Sequence, residues 1–349
     1  MHVLVTGHNG YIGCVMVEVL RAAGHSIVGL DTGFFADCGN SQHDETAAIR
    51  KDIRDLTADD LGGVEAVVHL AALCNDPLGD LNPDWTIDIN QHASRRLAEL
   101  SKAAGVTRFL YASSCSMYGK AGEEMVDENA PLRPLTPYAI SKVRAEEDLG
   151  KLAGEDFSPV FMRNATAYGM SSRLRADVVL NNLVCWAHTT GKIRVMSDGT
   201  PWRPIVHIRD IARAFAAALV APRNVIHNEA FNIGANEENY QVRELADIVS
   251  ETVPGCVVEY APDGGPDPRS YRVSFDKFQR AFPEFKFEWD ARRGAREVYD
   301  AVRDAGLTFD DFQGRRYIRL NQLKHLLDSN LLDDTLRWRD SHRQTSING

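Results

Sequence analysis

The chain has 349 residues and a formal net charge of −10, with 44% hydrophobic and 25% charged residues. This is the balance of a globular protein, and it argues against nucleic acid or an anionic membrane as the main partner. The length is large for one compact core, so one large α/β unit with a smaller lobe is expected.

The first residues run directly into a strand pattern, so no signal peptide is expected, and no apolar run approaches the ~20 residues of a membrane span. Six cysteines (Cys14, Cys38, Cys74, Cys115, Cys185 and Cys256) are scattered without C-x-x-C pairs. Free thiols in a reducing cytoplasm, and no metal site, are therefore expected. Short apolar runs at His2–Thr6, Ser26–Leu30, Ala47–Arg50, Ala66–Leu70, Arg108–Ser113 and Pro159–Arg163 read as strands. Helical patterns lie between them, most clearly at Asp84–Gly105 and Tyr138–Leu152. That alternation predicts a parallel, doubly wound sheet.

The stretch between the first strand and the first helix carries Gly7, Gly10 and Gly13 at three-residue spacing, with Tyr11 and Ile12 inside it. A strand that breaks into a glycine turn and opens a helix aims several N–H groups at one point, with the positive end of the helix dipole behind them. In that context the turn predicts a dinucleotide site. Asp31 ends the second strand, 18 residues past Gly13, where a carboxylate meets ribose hydroxyls and repels a 2′-phosphate, which favours NAD over NADP. Asp52 and Ile53 end the third strand, where an adenine would lie. Leu70, Ala71 and Ala72 end the fourth, where small residues let a cofactor pass close to the backbone. The loop Thr32–Asp44, rich in Gly, Asp and Ser, reads as an exposed excursion.

Further on, the strand Arg108–Ser113 ends in hydroxyls and a thiol, Ser113-Ser114-Cys115-Ser116, at the sheet end where ligands bind. Tyr138 and Lys142 are four apart and share one helix face. An ammonium beside a phenol favours phenolate, which would lower the pKa of Tyr138 towards neutral pH and make it a proton acceptor for a sugar hydroxyl.

Gly7-x-x-Gly10-x-x-Gly13, Asp31, Asp52-Ile53, Ser114 and Tyr138-x-x-x-Lys142 together resemble the extended short-chain dehydrogenase/reductase family, and within it the nucleotide-sugar epimerases and dehydratases. The resemblance runs from residue 1 to about 310. It implies a Rossmann-type sheet with a smaller C-terminal substrate-binding lobe. Residues 1–163 and a returning segment at about 204–234 would hold NAD, 164–203 and 235–310 would form the lobe, and 311–349 would be a helical extension. Tyr138 would be the acid/base, Lys142 would hold the nicotinamide ribose, and Ser114 would hydrogen-bond the reacting hydroxyl. Asn164, Asn182 and Arg203 match substrate-binding positions, Arg203 as a grip on the diphosphate. The partner implied is a nucleotide-diphosphate sugar, and the assembly a homodimer.

The sequence departs from the family in places. Gly264-Gly265-Pro266-Asp267 stands where an Arg often precedes an Asp by three residues, leaving Arg269 to take the phosphate contact. Cys115 and Ser116 stand where 4,6-dehydratases carry Asp-Glu, which disfavours that reaction and also the decarboxylases. Cys115 is then either a packing thiol or a second proton carrier beside the ring. His207 and Asp210 are expected to cap and pack. Leu320–Leu332 suits a short amphipathic helix that covers the lobe, meets a partner subunit or closes an apolar patch of its own chain. The function expected is NAD-retaining C4 epimerisation through a 4-keto sugar. Other 4-keto chemistry (3- or 5-epimerisation, dehydration or decarboxylation, with Cys115 taking part) and a non-catalytic NAD-binding sensor or scaffold are the alternatives.

Overall fold

The computed structural model describes residues 1–39, 46–74, 76–261 and 269–339. Seven strands form one parallel sheet: β1 (His2–Thr6), β2 (Ser26–Asp31), β3 (Ala48–Arg50), β4 (Ala66–His69), β5 (Arg108–Ser114), β6 (Ser158–Asn164) and β7 (Glu229–Ile233). Their spatial order is β7-β6-β5-β4-β1-β2-β3. The chain steps outward from β1 to β3, returns to β4 on the other side of β1, and steps outward again. That reversal opens a crevice at the carboxyl ends of β1 and β4, where doubly wound sheets bind ligands.

Alternation along β1 explains why it is apolar throughout. Val3 and Val5 face the core shared with helix α1 (Tyr11–Ala22), whereas Leu4 faces the opposite core with Val67, Phe109 and Leu97. A strand covered on both faces has no polar side to show. The helical region predicted at Asp84–Gly105 is three pieces: Pro83–Ile87, a π-turn Asp88–His92, and α2 (Ala93–Ala103). The π-turn aims Asn90 inward, where its amide bonds both Leu73 N and O (2.8 and 2.9 Å) and Ser141 Oγ (3.1 Å). It thereby braces the loop after β4 against α3 (Pro137–Gly150).

In the second half, strand Trp202–His207 lies between Thr166–Tyr168 and Asn239–Gln241. The boundary expected at 203/204 falls inside that strand, and Lys120–Val126, from the first half, pairs with Ser270–Val273. Helix α4 (Val179–Thr190) walls the lobe, and α5 (Ile208–Val220) returns to pack on α1. The described part of the loop after β2, residues 32–39, is less exposed than its composition suggests, and 40–44 lie outside the described residues. Phe34 and Cys38 are buried, and the Arg173 guanidinium donates to the Cys38 carbonyl (2.8 Å).

The extension touches both parts: Phe312 packs on Trp186 at 5.5 Å and Tyr317 O accepts from Ala176 N (3.1 Å), while the helix that follows closes on the cofactor side. Leu323 and Leu326 of α6 (Arg319–Asp328), with Leu332 and Leu336, join the core of Leu4, Leu30, Phe34 and Ile53. Trp338 packs on Phe34 at 5.8 Å and donates its indole N–H to Thr32 O (2.7 Å). Among the described residues, no helix is long and apolar enough to cross a membrane, and no group of three His, Cys, Asp or Glu could hold a metal.

Candidate active site

The glycine turn closes on backbone. Gly7 has φ +70°, a region that favours glycine, and a Cβ there would lie 2.9 Å from Ala71 N. Gly7 N donates to Leu30 O (2.7 Å) and Gly10 N to Gly7 O (3.0 Å). The Tyr11 phenol donates to Gly169 O (2.8 Å) and accepts from Asn181 Nδ2 (3.0 Å), tying the turn to the lobe. Asp31 accepts from Gly33 N (2.8 Å) and Asn9 N (3.3 Å). Its neighbour on β3, Arg50, turns over the Trp338 ring at 5.6 Å. Asp52 forks with Arg54 at 3.0 and 2.7 Å, and Arg54 also donates to the carbonyls of Thr335 (2.7 Å) and Leu336 (2.9 Å). The extension is thus fastened beside the end of β3.

Of these residues, Gly7, Gly10, Tyr11, Leu30, Asp31, Asp52 and Ala71 border one cavity of about 940 Å³. Gly7, Gly10, Tyr11, Ile12, Gly13, Asp31, Asp52, Ile53, Leu70, Ala71 and Ala72 line one end. Ser114, Tyr138, Lys142, Asn164, Asn182, Arg203 and Arg269 line the rest. The lining holds the side-chain-free Gly7, Gly10 and Gly13 at the start of α1 and extends from Asp52 and Ile53 after β3 to Asn182 and Arg203, so the residues present fit a dinucleotide.

Ser114 ends β5, and Tyr138 and Lys142 rise from the start of α3, which Thr136 caps by accepting from Ala139 N (3.2 Å). Ser114 hydrogen-bonds both the Tyr138 phenol and the Ser116 hydroxyl (2.9 Å). Lys142 Nζ donates to Ala112 O (2.7 Å), lies 4.5 Å from the Tyr111 ring centre and 5.7 Å from that of Tyr138. Burial pushes the Lys142 ammonium down to about 8. The expected lowering of the phenol does not appear. Burial pushes Tyr138 well above its ordinary range, and the contributions that oppose it are the Ser114 hydrogen bond and the charge of Arg175.

Cys115 is not where a proton carrier must be. The residue begins the 3₁₀ turn Cys115–Tyr118, its thiol donates to Arg163 O (3.1 Å), and burial pushes it far up. Cys115 is absent from the cavity lining, where Ser116 appears instead. The proton-carrier reading is therefore replaced by packing.

On the lobe side, Asn182 faces the cavity while donating to Ala176 O (2.8 Å), and Asn181 is spent on Gly169 and Arg175 backbone. Asn164 has a buried amide oxygen with no partner. Arg203 donates to the Trp202 carbonyl (2.8 Å) and to that of Arg269. The Arg269 guanidinium pairs with Asp76, which also accepts from Thr136 Oγ1 (2.6 Å). Gly264 to Asp267 lie outside the described residues. His207 caps α5 through Arg209 N (3.1 Å) and stacks on Trp289 at 3.9 Å, and Asp210 accepts from Glu288 N and Trp289 N.

Sequence reasoning passed over Asp76, Arg175, Asp177 and Arg319, which also line the cavity. The alternating charges of Arg173-Leu-Arg175-Ala-Asp177, just past Gly169, were the available signal for two of them.

A family model described as "NAD dependent epimerase/dehydratase family" matches residues 3–234. A putative UDP-glucose 4-epimerase of Methanocaldococcus jannaschii is 28% identical over 316 residues, covering 88% of this chain and 100% of that protein. The UDP-glucose 4-epimerase of Mycolicibacterium smegmatis is 29% identical over 72% of this chain and 83% of its own length. Among solved structures, MoeE5 in complex with UDP-glucuronic acid and NAD superposes with a TM-score of 0.76 at 28% identity, covering 87% of this chain and 100% of MoeE5.

Proposed function

The chain belongs to the NAD-dependent epimerase/dehydratase family, and on that premise we propose that it inverts C4 of a nucleotide-diphosphate sugar through a transient 4-keto sugar while NAD stays bound. The observation that carries this reading is the meeting of Ser114, Tyr138 and Lys142 in the same cavity as the glycine turn. NAD, when bound, supplies the acceptor and later the donor of the C4 hydride. The turn from Gly7 to Gly13 would hold its phosphates, and Asp31 the adenosine ribose.

The chain's own residues handle the proton and the orientation. Tyr138 takes the proton of the C4 hydroxyl as the C4–H bond breaks, and returns it when the ketone is reduced from the opposite face. Ser114 bonds the phenol, which holds its oxygen in place and favours the phenolate. Arg203 and Arg269 are two of the guanidiniums on the lobe side, suited to a diphosphate by their planar forks. With Cys115 turned away and Ser116 in the cavity, positions 115 and 116 present no carboxylic acid to expel a C6 hydroxyl. That favours inversion over 4,6-elimination. The relatives named for UDP-sugar epimerisation make UDP-hexoses and UDP-hexuronates the first substrates to try.

The test is incubation with a panel of UDP-, GDP-, dTDP- and CDP-sugars in deuterated water without added cofactor. The C4 epimer free of ring deuterium is expected; deuterium at C3 or C5 would refute simple inversion. Tyr138→Phe should abolish turnover and keep bound NAD, and loss of both would contradict its role.

A further inference from the structure

The segment 171–178 contributes Arg175, Asp177 and Val178 to the lining of the cavity that also holds the glycine turn. Arg173 Nε donates to Asn9 Oδ1 (2.9 Å), so this segment is bonded directly to the turn. Two guanidiniums behind it reach the cavity: Arg175, 7% exposed, and Arg319, 2% exposed. Arg175 directs its fork at Asp177 (2.8 and 3.1 Å) and a third bond at Cys74 Sγ (3.2 Å).

Arg319 is placed differently. Its hydrogen bonds go to main-chain carbonyls: Arg173 at 2.6 Å, Leu174 at 3.4 Å and Arg316 at 3.5 Å. Its guanidinium also lies 5.2 Å from the Phe35 ring centre, in the loop that follows Asp31. Burial and the neighbouring charge of Arg175 both bear against its cationic form. Carbonyl dipoles solvate a cation without neutralising it, and a buried charge held that way is expensive. Two buried cations near the single carboxylate of Asp177, in the lining of the cavity that also holds Gly7, Gly10 and Gly13, complete a site for a doubly charged anion.

We propose that Arg319, supplied by the C-terminal extension beyond the family match, is a cofactor residue that acts with Arg175 on the pyrophosphate of NAD. The proposal is independent of which sugar carbon reacts, because it concerns retention of the dinucleotide. The extension then does more than cover an apolar patch: α6 begins at a residue that lines the same cavity as the glycine turn.

The experiment measures dissociation constants of NAD, ADP-ribose and adenosine for the full-length chain and for its Arg319→Gln and Arg319→Lys variants, with the NAD content of each protein as purified. Loss of a charge-assisted bond to phosphate should weaken NAD and ADP-ribose by about tenfold or more in Arg319→Gln. Adenosine, which has no phosphate, should bind as before, and Arg319→Lys should recover much of the loss. Equal weakening of adenosine and NAD, or a Lys variant as poor as Gln, would show that Arg319 only braces the carbonyls of Arg173 and Leu174. Unchanged NAD binding in Arg319→Gln would overturn the contact. If the Gln variant does not fold, the Lys variant decides: near-normal NAD affinity supports the charge, and loss of it refutes it.

Discussion

Replacing the glycines of the turn one at a time should separate what each does. At Gly13 an added Cβ would lie 2.7 Å from both C and O of His8, and nearer still to Gly7 O. All three are backbone atoms, so no side chain can move aside. Ordinary contact begins at about 3.4 Å, so clearing His8 alone takes about 0.7 Å, and clearing Gly7 O takes α1 further still. That movement strains the Cys14 N to Gly10 O bond (3.1 Å) and unseats Val15, Met16, Val17 and Leu20 from the core. Overpacking of this kind costs about 1–3 kcal/mol. At Gly10 the situation differs. Its φ of −89° suits alanine, and the added methyl would meet only Gly7 O, at 3.1 Å. The methyl instead enters the cavity where phosphates approach the N–H groups. Gly13→Ala should therefore lower the thermal midpoint of the nucleotide-free protein by several degrees and lose NAD as well. Gly10→Ala should keep the nucleotide-free midpoint and lose NAD alone. Calorimetry of nucleotide-free protein, with NAD quantified after acid release from protein as purified, reads both. A Gly13→Ala protein of normal stability, or a Gly10→Ala protein that copurifies with normal NAD, would refute the assignment.

His69 is buried between Thr6 Oγ1 (2.6 Å) and Ser94 Oγ (2.7 Å), and burial pushes it down to about 3. Its folded pKa lies below its unfolded one, so the unfolded chain takes the proton first as pH falls. The stability it contributes is complete above pH ~6.5 and declines by about 1.4 kcal/mol per unit down to pH ~3. His69→Gln should flatten the dependence measured by urea unfolding between pH 6 and 4; an unchanged slope would disprove this. Cys115→Ala should cost about 1–2 kcal/mol through the small cavity it leaves, with turnover per bound NAD within about threefold of the parent. A folded, NAD-loaded Cys115→Ala protein without turnover would return Cys115 to the chemistry.

The parts of the site that were legible in the sequence are those whose chemistry is local. A glycine triplet between a strand and a helix, and a Tyr and Lys one turn apart, bring their geometry with them, and the cavity contains both sets. The direction of Cys115 was not local. It depends on β5 giving way to a 3₁₀ turn after Ser114, which rotates the thiol onto Arg163 O while Ser116 stays in the cavity. Periodicity in Leu320–Leu332 announced an apolar face but not its counterpart. The counterpart is a core assembled from β1, β2 and the loops after β2 and β3, brought together only by the sheet order. Asp76 and Arg269 are separated by most of the chain and meet across the mouth of the cavity, a pairing that no spacing rule contains.

The same distinction applies to the electrostatics of Tyr138 and Lys142. Spacing alone suggests that the ammonium activates the phenol, because it counts two groups and no environment. Burial disfavours both charged forms at once, raising the phenol and lowering the ammonium to about 8. In such a pair, any proton removed by Tyr138 must be compensated by groups that act on the phenolate more strongly than burial opposes it. Ser114 opposes burial by a hydrogen bond and Arg175 by its charge, and together they offset only part of it. Arg175 also faces Cys74 and Asp177, and Asp177 already offsets much of its field. The basicity of Tyr138 is therefore set by the whole wall from Cys74 to Asp177 rather than by one lysine. Arg175→Gln should accordingly move the acid limb of the pH–rate profile to higher pH, and Lys142→Arg, which preserves a charge in place, should move it less. A profile unaltered by loss of Arg175, in a protein with full NAD content, would leave Ser114 and Lys142 as the groups that carry the load and would contradict this reading of the wall.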